Sequence, residues 1–287
     1  MKINKKIIFA IYSCFILSCN RDSLRNKEIN QTDTRKETKH NETIVDYHIK
    51  GKGDTALLFV HDVFLDQTYW KEQVDYFGEH YLVVTLDLPG HGKSGKTAES
   101  WTLEEFADNI INVVNKLNLK NVVLIGHSLA GDINLIVASR MSSPIIGFIG
   151  VDNFKEAGKP QVGLYKQVLD SIGSDSACTQ FSPQTPPDVV MRVKADFRNA
   201  ADLMGGKRLS RLSETGEIEQ HILPKLGYKL YLINVNNTPT NEKALKKYTG
   251  SGYEIFYLKG TSHYPMIESP DMFNLTLQKV INKMGRS

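Results

Sequence analysis

The sequence predicts an α/β fold: a mostly parallel central sheet with helices on both faces and an inserted helical cap. Three observations carry this. Short apolar runs suited to buried parallel strands, at 56–60, 81–86, 122–125, 145–151, 229–233 and 254–258, alternate with amphipathic helical stretches. The alternation breaks once, over residues 154–225, where helical patterns at 164–172 and 189–204 flank a Pro- and Ser-rich piece at 182–187 and no strand run occurs. One apolar run passes straight into a helix through a serine set between glycines.

Each element follows from its residues. The apolar runs do not alternate with polar residues, so both faces of those strands should be covered. The helix over 103–117 is opened by Thr102 with Glu105 three residues on, a capping box. The resulting division is a core of residues 44–153 and 226–287 with a cap of 154–225 between them. The cap carries Phe154, Tyr165, Phe181, Met191, Phe197 and Met204, which either line an apolar chamber or form the cap's own core, the reading its helical spacing favours. Its Arg192, Lys194, Arg198, Lys207, Arg208 and Arg211 are interspersed with Asp196 and Asp202 and read as a solvated face.

The formal charge is +3 over 287 residues, but it is unevenly spread: residues 1–43 carry +4 and residues 44–287 carry −1. A near-neutral domain lacks the basic footprint of a nucleic-acid binder. Residues 1–19 read as a signal peptide, with Lys2, Lys5 and Lys6 ahead of an apolar stretch too short to span a bilayer. Its end, Ile16-Leu17-Ser18-Cys19, resembles a bacterial lipobox, which makes Cys19 a lipidation site and the chain an exported protein held to the membrane by a lipid anchor. A simple secretory signal or an uncleaved anchor are the alternatives, and each exports the domain. Residues 20–43 are polar, charged and aromatic-free, and read as a flexible tether. Cys14 leaves with the signal and Cys178 stands alone, so no intrachain disulfide is expected in the mature protein.

The sharpest chemical signal is Val122-Val-Leu-Ile-Gly126-His127-Ser128-Leu129-Ala130-Gly131. It is close to G-x-S-x-G, a strained strand-to-helix turn that exposes a serine hydroxyl as nucleophile; Ala130 stands where the pattern has Gly. With Val60-His61-Asp62-Val63 after the first long apolar strand, Asp87-Leu-Pro-Gly-His-Gly-Lys-Ser94 after the next, and Gly260-Thr-Ser-His263-Tyr-Pro with Pro270 after the last, the chain resembles the α/β-hydrolase family over residues 44–287.

The resemblance implies roles. Ser128 would be the nucleophile, His263 its base, and the backbone N–H groups of Leu129 and Val63 the oxyanion hole. Two departures stand out. Asp62 replaces the family's Gly and brings a carboxylate to a site meant for developing negative charge; its side chain is expected to turn away. The loop after the strand at 229–233, where the triad acid usually sits, holds no carboxylate; Asn236 is its counterpart, whereas Asp152 ends the preceding strand and is preferred as the third member. A serine at the elbow argues against dehalogenases and epoxide hydrolases of this fold, which use aspartate there. The expected activity is hydrolysis of a small or medium carboxylic ester or related acyl bond, without cofactor or metal. The alternative is a catalytically degenerate member serving as a binding lipoprotein.

Overall fold

The computed structural model describes residues 32–40, 43–96, 102–141, 143–159, 181–204 and 215–285. Strands β1 (Thr32–His40), β2 (Thr43–Gly51), β3 (Thr55–Val60), β4 (Leu82–Leu86), β5 (Asn121–His127), β6 (Ile145–Val151), β7 (Leu230–Val235) and β8 (Tyr253–Leu258) form one sheet in the order β1-β2-β4-β3-β5-β6-β7-β8. The pairs β1–β2 and β2–β4 are antiparallel, and all others are parallel. The six apolar runs thus become the parallel part of the sheet. Residues 56–60 of β3 are buried without interruption, so side chains on both faces are covered, as the lack of alternation implies.

The helices are α1 (Lys71–Phe77), α2 (Leu103–Lys116), α3 (Leu129–Arg140), α4 (Pro187–Met204), α5 (Thr215–Ile222), α6 (Glu242–Tyr248), α7 (Pro265–Glu268) and α8 (Pro270–Met284). Helix α2 opens with the capping box: Glu105 N–H donates to Thr102 Oγ1 at 3.1 Å and Thr102 N–H to Glu105 Oε2 at 2.9 Å. Helix α3, directly after β5, is buried along residues 129–138, which are mostly apolar or small. It packs on α2 and on α5. Between β6 and β7 the described residues hold only helical elements, α4, α5 and the 3₁₀ turn Leu223–Lys225.

One expectation is corrected. Residues 32–40, assigned to a flexible tether, form β1, paired with β2 from Thr32↔Gly51 to His40↔Thr43. The polar run has no apolar face to bury, but a strand added to an existing edge is held by its main-chain ladder and by cross-strand charges. Asp33 Oδ1 lies 2.7 Å from His48 Nε2, and Arg35 Nε donates to Asp46 at 2.7 and 2.5 Å. A charged outer strand also discourages pairing with other chains. Strand β2 was not read as a strand, although Val45, Tyr47 and Ile49 are buried at alternate positions. The leader at 1–19 with Cys19, the helical pattern at 164–172 and Cys178 lie outside the described residues.

Arg35 anchors β1 to the core. It lies against Asp46, whose side chain is 3% exposed, and its Nη2 is 3.5 Å from Asp87. Arg35→Ala leaves both carboxylates buried with one cation fewer, and is expected to lower the unfolding free energy by about 1–3 kcal/mol in urea titration. Lys36→Ala, exposed on the same strand, should change it by less than about 0.5 kcal/mol.

Buried Asp132 of α3 faces buried Glu219 of α5, which also accepts the Gly158 N–H. Burial first, then their mutual repulsion, pushes Asp132 well above the carboxylate range, while burial lifts Glu219 to about 7. The pair therefore keeps a proton that the unfolded chain releases above the ordinary carboxylate range. Its stabilisation is fully present at low pH and fades as pH rises through about 7. Relative to Glu219→Gln, which stays neutral, the wild type should lose on the order of 2 kcal/mol of stability between about pH 5 and pH 8, read from urea midpoints across that range.

Candidate active site

Parallel α/β sheets gather their chemistry beyond the carboxyl ends of the strands, and here β3, β5, β6 and the segment after β8 each deliver one group. Ser128 joins β5 to α3 with φ 52° and ψ −124°, a left-handed conformation that a non-glycine residue holds only when its surroundings enforce it. Glycines on either side make room. A Cβ on Gly126 would lie 2.6 Å from the Ala130 carbonyl oxygen, and one on Gly131 would fall onto the Asn153 amide. The second close approach therefore belongs to Gly131, which is why Ala130 fits, fully buried, where the pattern has Gly. The turn is clamped: Ser128 N–H donates to Val151 O at 2.9 Å, and Ser128 O accepts from Gly131 N–H at 2.9 Å and from Asn153 Nδ2.

His263 follows β8 and meets Asp152 at the end of β6: Nδ1 lies 2.6 Å from Asp152 Oδ2. The other oxygen, Oδ1, accepts from Val235 N–H at 3.0 Å and lies 2.8 Å from Lys155 Nζ. Asp152 itself is in the left-handed region, φ 47°, and its N–H donates to Ile233 O at 2.9 Å. Asn236 is exposed in the loop after β7, away from this contact. Of the two residues weighed for orienting His263, Asp152 is the one brought to the ring.

Asp62 does not turn away. Its Oδ1 accepts the N–H of Val63 at 2.8 Å and that of Leu129 at 3.2 Å, and its Oδ2 lies 3.7 Å from His263 Nε2. The expectation fails for a physical reason: converging N–H donors and an imidazole form a site for negative charge, and the nearest carboxylate fills it. The donors read from the sequence, Leu129 and Val63, do converge on one point. Among the described residues Ser128 Oγ makes no hydrogen bond to His263.

The electrostatics follow from these contacts. Burial works against a charged His263, but Asp152 and Asp62 override it and raise its pKa to about 9. Burial likewise opposes ionisation of Asp152 and Asp62, yet His263 holds both below the usual carboxylate range, helped by Lys155 for Asp152 and by the Leu129 N–H for Asp62. His127 is pushed down to about 4 by burial and by the neighbouring His263, so it is neutral. Its Nε2–H donates to His263 O at 2.6 Å, and its ring lies 4.6 Å from the His263 ring, so it supports the His263 backbone as well as packing the elbow. His61 and His91 serve their loops: His61 Nδ1 donates to Asp62 O and its Nε2 accepts the Leu88 N–H, and His91 Nδ1 donates to Pro89 O.

Three supporting side chains escaped the sequence reading. Asn153 and Asn234 tie the ends of β6 and β7, with Asn234 Nδ2 donating to Asn153 O at 3.0 Å and Asn153 N–H to Asn234 Oδ1 at 3.2 Å. Glu268 of α7 holds the His263 segment, accepting Ser262 N–H at 2.9 Å and Tyr264 N–H at 3.2 Å, while Thr185 donates to it from across the cap boundary at 2.9 Å. No spacing rule marks such residues; the only signal was a carboxylate shortly after the histidine segment.

Helix α4 lies over the site's rim. Phe197 packs on Phe64 with ring centroids 5.0 Å apart, Tyr69 Oη donates to Asp196 at 2.6 Å, and Arg192 sits 4.0 Å above the Tyr69 ring. A cavity of about 220 Å³ opens beside it, lined by Phe64, Leu65, Asp66, His91, Asp196 and Asn199 among others. Of the residues considered for an apolar chamber, Phe154 is buried against Phe148 and Met191 is 65% exposed, so neither lines it. Phe181 lies 5.5 Å from Tyr264, beside His263. Tyr165 and the Met204 side chain lie outside the described residues, as do Lys207, Arg208 and Arg211. Among the described residues no three His, Cys, Asp or Glu side chains converge as a metal site.

Comparison with known proteins places this geometry. The chain is 40% identical over 83 residues to an (E)-2-((N-methylformamido)methylene)succinate hydrolase of Acinetobacter baylyi, covering 29% of this chain and 31% of that protein. It is 19% identical over 253 residues to 3-oxoadipate enol-lactonase 2 of the same organism, covering 84% of this chain and 94% of the relative. A solved structure described as an N-acyl homoserine lactone degrading enzyme superposes with a TM-score of 0.71 at 19% identity, over 85% of this chain and 99% of that one. Residues 57–274 match the model of the alpha/beta hydrolase family, and with the strand order described above the chain belongs to that family, with hydrolases among its relatives.

Proposed function

We propose that the protein is a serine hydrolase that cleaves a small or medium carboxylic ester, or a related acyl bond, through an acyl-enzyme. The observation that carries this reading is the pairing of a strained Ser128 elbow with a part-buried His263–Asp152 contact of 2.6 Å at the same end of the sheet. In this reading Ser128 Oγ bonds to the carbonyl carbon as its proton passes to His263 Nε2. The N–H groups of Leu129 and Val63 receive the oxyanion. Collapse breaks the bond to the alcohol, which leaves with the proton from His263, and water then repeats the sequence to release the acid. Asp152 orients the ring through Nδ1 and offsets the imidazolium charge.

One observation favours a second reading, a binding lipoprotein of hydrolase ancestry: the oxyanion donors are already taken by Asp62. Labelling with a fluorophosphonate and turnover of p-nitrophenyl esters decide between them. The folded wild type should label and turn over, and Ser128→Ala and His263→Ala should lose turnover by at least about a thousandfold. Asp152→Asn should cost on the order of ten-thousandfold, while Asn236→Ala should stay within about twofold. An inert, well-folded wild type would leave only the binding reading.

The leader supports export and attachment through Cys19. Fractionation of cells carrying the full chain is expected to find it with membranes, and Cys19→Ala is expected to abolish incorporation of labelled palmitate. Unchanged incorporation would remove Cys19 from the proposal.

A further inference from the structure

We propose that Asp62 is a built-in plug of the oxyanion hole, resting on the ester-hydrolase reading above, and that turnover requires its side chain to swing out. The plug has the shape of a bound product. One carboxylate oxygen takes both N–H donors, Val63 at 2.8 Å and Leu129 at 3.2 Å, and the other stands 3.7 Å from His263 Nε2. A product acid would place its oxygens in the same way, one in the hole and one toward the imidazolium. A substrate carbonyl and the Asp62 carboxylate therefore compete for the same donors.

The groups around the pair make the closed arrangement self-consistent. His263 is faced by Asp152 on Nδ1, by Asp62 on the Nε2 side, by the ring of His127 at 4.6 Å and by that of Tyr264 at 5.2 Å; Lys155 backs Asp152, and Glu268 accepts from the backbone on either side of His263. Asp62 is faced by His263, His127 and the Leu129 N–H, and its carbonyl accepts from His61, near which Asp66 also lies. With both carboxylates in place His263 keeps its proton up to about pH 9. In the closed state the hole is filled and the base is already protonated. A different role, a neutral Asp62 donating a hydrogen bond to the oxyanion, conflicts with these contacts, because N–H donors on Oδ1 and a cation beside Oδ2 favour the ionised form. Asp62 is outside the left-handed region of backbone space, so Gly at this position requires no backbone change.

The test uses the full chain in detergent. Fluorophosphonate labelling rates are followed against pH for wild type, Asp62→Gly, Asp62→Asn and Ser128→Ala, with circular dichroism to verify folding. The His263 imidazole is titrated by NMR in wild type and Asp62→Asn. At pH 7 Asp62→Gly is expected to label at least about tenfold faster than wild type and Asp62→Asn faster than wild type, with the acidic limb of both variants about 1–2 pH units lower because one carboxylate no longer holds the imidazolium. Variants that label through Ser128 at the wild-type rate or slower, with the acidic limb unmoved, overturn the plug while leaving the hydrolase intact. Absence of Ser128-dependent labelling in every folded protein overturns the hydrolase reading instead. The NMR titration tests the Asp62–His263 contact on which the plug depends: the plug requires that Asp62→Asn lower the His263 midpoint by about one unit or more, and falls if the midpoint does not move.

Discussion

The backbone of Ser128 is the constraint around which the rest of the molecule is arranged. A serine at φ 52° costs on the order of 1–3 kcal/mol relative to relaxed geometry, and no local contact of that residue alone offsets it. The offset is distributed. β5 lies between β3 and β6 with burial on both faces, α3 is enclosed along residues 129–138, and the Val151 carbonyl, the Gly131 N–H and the Asn153 amide fix the turn from three directions. Asn153 is in turn fixed by Asn234, so the ends of β6 and β7 are locked together by the same contacts that hold the turn.

Around that turn the charges form a chain: Lys155, Asp152, His263 and Asp62. Each member is buried or nearly so, and burial opposes the charge of each carboxylate and of the imidazole. The alternation of sign makes the set tolerable, because every charge has an opposite neighbour within about 4 Å and the carboxylate oxygens accept N–H bonds besides. A chain of this kind is sensitive to its ends. Lys155 competes with His263 for Asp152, and Asp62 completes the compensation on the far side of the ring, so the proton on His263 depends on residues contributed by three separate strand ends.

The sequence made the parallel sheet and the strand-end positions of Ser128, His263 and Asp152 legible, because those depend on patterns short enough to see in one window: continuous apolar runs, a Gly-flanked serine, a carboxylate closing a strand. β1 was illegible for the opposite reason. Its residues carry no apolar face, and its place in the sheet depends on an edge supplied by β2. The direction of the Asp62 side chain was equally hidden. It follows from the convergence of the Leu129 and Val63 N–H groups on one point, which exists only after strands far apart in the chain have come together. Asn234 and Asn236, two residues apart, differ in which way the end of β7 turns: one is fully buried on Asn153, the other exposed.

In the proposed reading, Asp62 sets a charged acceptor against the N–H groups that would receive the oxyanion. If an open state is populated to a fraction f, the apparent rate falls by that fraction, and each tenfold corresponds to about 1.4 kcal/mol. The closed state gains charge-assisted hydrogen bonds from Val63 and Leu129 and the attraction of His263, whereas the open state must solvate the carboxylate elsewhere. What lies next to the segment then matters. Phe64, two residues on, is itself left-handed at φ 69° and packs on Phe197 of α4, so the backbone that carries Asp62 is held against the cap helix. Phe64 also lines the cavity that Asp196 borders, so the segment carrying Asp62, the cap helix and that cavity meet at one aromatic contact.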